Sequence, residues 1–237
     1  MNHMYKLFLP VIILTVFIAF FNLGSFTLFD VDEAVFSTAT KEMIESGDWI
    51  TPIYNGENRY DKPILFYWLM AASYKMFGVN EFGARFPSAL ASTVLIIAVF
   101  FFVRSVCNDE RAFCAAIASA LSIYFLAYSH AAVTDMTLTL FIALSLFCFY
   151  LWIHGDAKSK TTKNMYHFGF YVFSALALLT KGLIGIVFPF GIAVVYMFVT
   201  DGWKGMKRVF SLKGIILFML ISLPWFVAQL AINGQEF

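Results

Sequence analysis

The groups with the most chemical capacity in this 237-residue chain are acids and cations set at the edges of apolar runs. Asp30, Asp32 and Glu33 crowd together just after a run that could cross a bilayer. A helix N-terminus needs one acceptor at its cap, worth about 1 kcal/mol. Asp30 supplies it, and Glu33 three residues on completes a capping pattern. Asp32 and Glu33 are then surplus, either as decoration of the helix end or as chemistry. A carboxylate at the membrane boundary is the group that can take a proton from a nucleophile.

Lys62, Arg85 and Lys181 each stand where a loop meets an apolar run, at headgroup depth. A cation there either snorkels to lipid phosphate, the reading that also covers Lys75, or faces a pocket. Lys181 lies in a tight "TKG" link between two apolar runs, which favours a pocket-facing role. Asp135 opens another run beside Thr134 and has two readings, an N-cap favoured by the helix dipole or a carboxylate lining a cavity. His130 and His167 read as interfacial or core histidines. Cys107, Cys114 and Cys148 are odd in number and show neither disulfide nor metal spacing, so they read as small buried residues. With no Gly-rich phosphate loop, no His-Glu-x-x-His pattern and no basic patch, no nucleic-acid partner is expected.

The elements that must position these groups are membrane helices. The chain is 61% hydrophobic, 19% aromatic and 13% charged, against about 25% charged for a soluble domain. Seven apolar windows, 7–24, 86–103, 112–128, 136–153, 166–180, 183–200 and 214–232, read as spans. Without water in the hydrocarbon each must be a helix. Window 7–24 is an uncleaved first span, since no small-residue cleavage site follows it.

Charge sets the orientation. With the N-terminus inside, the cytoplasmic segments carry ten Lys and Arg against four acids, and the outer segments six against eleven. Residues 25–85 are then a large first extracytoplasmic loop, where function is expected to concentrate. It should hold one short helix from about 33 to 45, with Val35, Ala39 and Met43 on one face, ended by Gly47. A turn at Asn55 and Gly56 leads to a second helix over 63–77. At about 21 Å that helix is too short to cross, so it lies in the interface with Tyr67, Trp68, Tyr74 and Lys75 at headgroup level.

The run from "DVDEAVFSTATKEMIESGDW" through "RYDKPILFYW" to "FGARFPSAL", followed by "AVTDMTLTLF" and "LLTKGLIGIVFPF", resembles the GT-C membrane glycosyltransferases of the protein O-mannosyltransferase superfamily. The resemblance is strongest to the lipid A aminoarabinose transferase branch and covers nearly the whole chain. It implies an all-α polytopic membrane protein of GT-C type, about seven transmembrane helices with two interfacial helices in the first outer loop. Residues 1–237 would be its transmembrane catalytic domain, shortened at the C-terminal end, because family members continue past "AINGQEF". It implies further that Asp32 is the catalytic base with Glu33 beside it, that Lys62 contacts the donor phosphate, that Asp135 lines the same cavity and that Lys181 faces it. Arg85 joins the phosphate cations only by its place at the loop edge, where snorkelling is the equal alternative. Asp61 replaces the Glu common in that branch, and its shorter side chain is the one place where a divalent metal stays open. Otherwise no cofactor is expected, since a monophosphate held by fixed cations needs none.

The activity implied is inverting transfer of a sugar from a polyprenyl-phosphate donor to a lipid A-like or other envelope acceptor, at the outer face of a bacterial inner membrane. The alternatives are a protein O-mannosyltransferase-like enzyme with a protein acceptor and, from another class, a transporter or lipid flippase. A transporter would carry ionisable residues in mid-span or internal repeats, and these windows hold no acid, Lys or Arg. A purely structural subunit leaves the clustered acids unexplained.

Overall fold

Each apolar window falls mainly on helix, though 7–24 runs past the end of the first helix at Phe20. The computed structural model describes residues 3–28, 31–155 and 159–237. Its helices are α1 (His3–Phe20), α2 (Val31–Ser46), α3 (Leu65–Phe77), α4 (Glu81–Val106), α5 (Asp109–Ala120), α6 (Ile123–Ser129), α7 (Asp135–His154), α8 (Lys160–Lys181), α9 (Ile184–Arg208) and α10 (Leu212–Asn233). Two short antiparallel strands, β1 (Ile53–Tyr54) and β2 (Glu57–Asn58), lie between α2 and α3. Among the described residues four helices, α4, α7, α9 and α10, are long and apolar enough to cross a membrane. A fifth span results if α5 and α6, bent by 63°, count as one. The expected seven are not reached on that measure. The apolar stretch of α1, Met4–Phe20, is short, and α8 opens on Lys160, Lys163 and Asn164.

The chain divides into two compact units, Met1–Arg59 with Phe66–Leu140 and Tyr60–Leu65 with Phe141–Phe237. In the first, α4 packs on α1 and α5. Phe8 lies against Phe100 and Phe101 at 5.0 and 4.9 Å, and Leu23 and Ala19 meet Ala89. Window 112–128 is broken at Leu121, where Ser122 caps a new helix by accepting the Phe125 N–H.

The segment between α1 and α4 follows its local chemistry. Helix α2 buries Val35, Ala39 and Met43 together with Phe36 and Thr40, and Gly47 ends it at φ 74°, its N–H on the Met43 carbonyl. Asp30, expected as the cap, lies outside the described residues. Asn55 and Gly56 both have positive φ, 53° and 80°, the type I′ turn that matches strand twist. The expected turn therefore closes a hairpin. The Glu42 carboxylate accepts the Asn55 and Gly56 N–H groups and ties that hairpin to α2. Helix α3 starts at Leu65, two residues after Pro63. Phe36 of α2 meets Phe66 edge-on at 5.3 Å, and Ser37 hydrogen-bonds Tyr74 at 2.6 Å. Burial pushes the Tyr74 phenol up, the Ser37 hydroxyl opposes that, and Glu81 adds to it.

In the second unit α8 packs on α9 and α10. A Cβ on Gly185 would stand 2.2 Å from the Ala177 carbonyl carbon, so glycine is required where α9 crosses α8. Tyr171 donates to the Val209 carbonyl at 2.6 Å and accepts the Ser211 N–H at 3.1 Å, fixing the link from α9 to α10.

Candidate active site

Asp32 and Glu33 are consecutive in the first turn of α2 but face opposite environments. Asp32 is exposed. Glu33 is 3% exposed and faces Arg85, itself 5% exposed, near the start of α4. Arg85 Nε donates to Glu33 Oε1 at 2.9 Å and Nη2 to Oε2 at 3.0 Å, a bidentate pair. Nη1 also donates to the carbonyls of Leu23 and Phe26, and Nη2 to that of Thr27. A guanidinium has five N–H donors, and protein acceptors take all of them here. The expected leaving-phosphate role of Arg85 therefore has no donor left to serve it, and this cation ties the end of α1 and the following chain to α2.

Glu33 reaches a third element. Its Oε1 also accepts the Ala132 N–H at 2.7 Å, and Ser88 of α4 donates to the Val133 carbonyl at 3.3 Å. The link between α6 and α7 is thus gripped from two sides just before Asp135. The Thr134 carbonyl accepts the Leu138 N–H, so Thr134 holds the cap position and Asp135 is the first helical residue. Its carboxylate stands at the positive end of the α7 dipole. It also lines a groove of about 670 Å³ between α4, α5, α6 and α7, with Leu95, Ile96, Phe125 and Met136 as apolar wall and Tyr124 and Tyr128 adding phenols. Such a groove can hold a hydrocarbon chain beside a carboxylate and two hydroxyls.

Two expected cations lie in the second unit. Lys62 is half-buried in the segment Tyr60–Leu65, and exposed Asp61 precedes it. Lys181 is the last residue of α8, also half-buried. Gly182 follows at φ 73° and donates to the Leu178 carbonyl, a turn that only glycine makes without strain. A Cβ there would lie 4.0 Å from Pro63 Cγ. Pro63, the last residue of the Asp-Lys-Pro triplet, therefore lies close to Gly182 of the "TKG" turn, although 119 positions separate them. Tyr60 packs on Phe237 at 5.6 Å, which holds the other end of the triplet.

The remaining expectations divide. His130 lies within reach of the Leu126 and Phe21 carbonyls, and His167 packs on Trp152 and Tyr171. Cys107 and Cys114 are exposed and Cys148 half-buried, so the three are not uniformly buried. Among the described residues no group of three or more His, Cys, Asp or Glu gathers to hold a metal. The Glu33–Arg85 bond is the feature the sequence reading missed. Its signal was Arg85 itself, set among Ala84, Phe86 and Pro87 at the head of an apolar helix, where a cation needs a partner.

Residues 61–227 match the family described as dolichyl-phosphate-mannose-protein mannosyltransferase. An uncharacterised protein of Aquifex aeolicus is 33% identical over 99% of this chain and 46% of its own length. The undecaprenyl phosphate-alpha-4-amino-4-deoxy-L-arabinose arabinosyl transferase 2 of Pseudomonas fluorescens Pf-5 is 32% identical over 86% of this chain and 34% of its own length. The crystal structure of ArnT from Cupriavidus metallidurans bound to undecaprenyl phosphate superposes with a TM-score of 0.89 at 26% identity, covering 98% of this chain and 43% of that one. The chain spans about half the length of these proteins, or less.

Proposed function

This chain belongs to the dolichyl-phosphate-mannose-protein mannosyltransferase family, and we propose that it forms the membrane part of a GT-C glycosyltransferase moving a sugar from a polyprenyl-phosphate donor to a lipid A-like acceptor. The acceptor oxygen attacks the anomeric carbon opposite the phosphate. One C–O bond forms, the bond to the phosphate breaks, and the configuration inverts. Lys62 and Lys181 neutralise the departing phosphate without an essential metal. A hydroxyl acceptor gives its proton to Asp32. An acceptor phosphate is already ionised, and Asp32 then orients it. Asp135 lines the acceptor side, where the apolar groove suits a lipid-borne substrate. Glu33 and Arg85 act as positioning residues.

The observation that carries this reading is the lock at Glu33. It holds the first turn of α2 rigid while Asp32, one residue away, stays exposed, and it grips the link that starts α7 at Asp135. The test is sugar transfer by purified protein from a polyprenyl-phosphate sugar. Asp32→Asn should lower turnover by roughly 10²–10⁴-fold with a hydroxyl acceptor, and less with a phosphate acceptor, while thermal stability holds. An active Asp32→Asn protein overturns the assignment. The family description favours protein as a second acceptor class, and transfer to a Ser or Thr peptide in the same assay would select it.

The charge asymmetry further supports seven spans with the N-terminus cytoplasmic, α2 and α3 in the interface and the site facing the periplasm of a bacterial inner membrane. Cysteines at Glu57 and Asn164 should label from opposite sides with an impermeant reagent, in a background without the three natural cysteines. Labelling of both from one side sinks this topology.

A further inference from the structure

The end of α9 away from the Lys181 turn has no part in the site above. Gly202 has φ 63° and ψ −153° inside α9, so the helix kinks there before residues 203–213 lead into α10. One side of this stretch is fixed to the second unit. Gly205 and Gly214 are buried, and Val209 is 0% exposed. A Cβ on Gly205 would meet the Met197 carbonyl at 2.5 Å, and one on Gly214 would stand 2.1 Å from the Tyr171 ring. Tyr171 also binds the Val209 carbonyl and the Ser211 N–H. This surface is therefore held rigid from within.

The opposite side is apolar and basic together. Trp203 is 68% exposed, Phe210 51% and Leu212 73%. Lys204, Lys207, Arg208 and Lys213 are exposed between them. Asp201 is the one acid in residues 201–213, and it pairs with Arg208 at 3.1 Å. Three lysines are left on a fixed ledge, flanked by an indole, a phenyl ring and a leucine. The ledge joins two helices that are long and apolar enough to span a bilayer. At that level aromatic rings sit among headgroups, and lysines beside a span attract anionic lipid.

We infer that residues 203–213 form a binding ledge for anionic glycerophospholipid, with Lys204, Lys207 and Lys213 on the phosphodiester and Trp203, Phe210 and Leu212 against the glycerol and upper acyl region. Charge complementarity selects this occupant, because zwitterionic lipid brings no net charge to three lysines. The inference does not depend on the proposed transferase activity. Further polypeptide could cover the same surface, since the relatives are longer than this chain. That alternative predicts no lipid selectivity.

Native mass spectrometry of the purified protein, with phosphatidylglycerol competing against phosphatidylcholine, tests it. Phosphatidylglycerol should be retained selectively, and the preference should fall as salt rises. The triple variant Lys204→Gln, Lys207→Gln, Lys213→Gln should lose affinity by roughly fivefold per lysine, about a hundredfold in all. The corresponding triple Lys→Arg variant should keep it, and Lys41→Gln with Lys75→Gln should not change it. Equal retention of the two lipids, an unaffected Lys→Gln triple, or displacement of the lipid by inorganic phosphate at matching concentration each overturns the proposal.

Discussion

At the head of α2 charged groups hold one another, whereas at the turn between α8 and α9 the backbone holds them. Glu33, Arg85, three main-chain carbonyls and the Ala132 N–H form one buried cluster that draws on the end of α1, α2, α4 and the link to α7. Lys62 and Lys181 instead flank a backbone approach, Pro63 lying close to Gly182 of positive φ, and both side chains stay half-buried. The first arrangement uses ionic groups to build a frame and leaves one acid, Asp32, exposed on it. The second uses small, stiff residues as the frame and leaves the ionic groups near the surface. Substitutions in the first region should therefore strike folding, and those in the second should strike ligand affinity.

The largest effect is expected at Arg85. Arg85→Leu strands a buried carboxylate and three carbonyls, and should cost about 3–5 kcal/mol in unfolding free energy. Glu33→Leu combined with Arg85→Leu removes the stranded charge and should be milder than the sum of the two single changes. Denaturant unfolding of the four proteins gives the coupling energy directly. Additive single effects would mean that the two groups act separately and that the frame is not ionic.

Lys62→Ala comes next and should leave stability nearly unchanged. A charge-assisted bond to a phosphate is worth about 1.5–3 kcal/mol, so KM for the donor should rise by roughly tenfold to a hundredfold. Lys181→Ala should act in the same direction and within the same range. An unfolding effect at either lysine would make the two regions alike.

How far these regions were legible from sequence follows the same division. In the cationic region the turn at Gly182 could be read because its determinant is local, while the roles of Lys62 and Lys181 rested on the family resemblance. A glycine after Lys181 marks a turn, a proline after Lys62 marks a chain start, and apolar windows on either side fix the level. The helix over 33–45, its buried Val35, Ala39 and Met43, and the turn at Asn55 and Gly56 were legible for the same reason. The acid cluster was only half legible. Spacing showed that Asp32 and Glu33 exceed what capping requires, but not that Arg85, 52 positions away, would take Glu33. Pairing across such a distance depends on packing. The break at Leu121 and Ser122 was hidden too, because the apolar run continues through it and only the capping serine marks the new helix.

The smallest effect is expected at Lys75, which separates a cation that serves the fold from one that serves a ligand. Its Nζ lies 4.2 Å from the centre of the Trp49 ring, and the Trp49 carbonyl accepts the Trp68 indole N–H at 2.9 Å. Asp48 turns the chain just there by accepting the Ile50 and Thr51 N–H groups. The ammonium therefore caps an aromatic corner between the end of α2 and α3. At an exposed site that contact is worth about 0.5–1 kcal/mol. Lys75→Ala should lower the melting temperature slightly and leave KM for the donor unchanged, the reverse of Lys62→Ala. Lys75→Arg should restore the melting temperature, since a guanidinium stacks on an indole at least as well. A donor KM that rises with Lys75→Ala as it does with Lys62→Ala would place both lysines at the phosphate and dissolve the distinction between framing and binding cations.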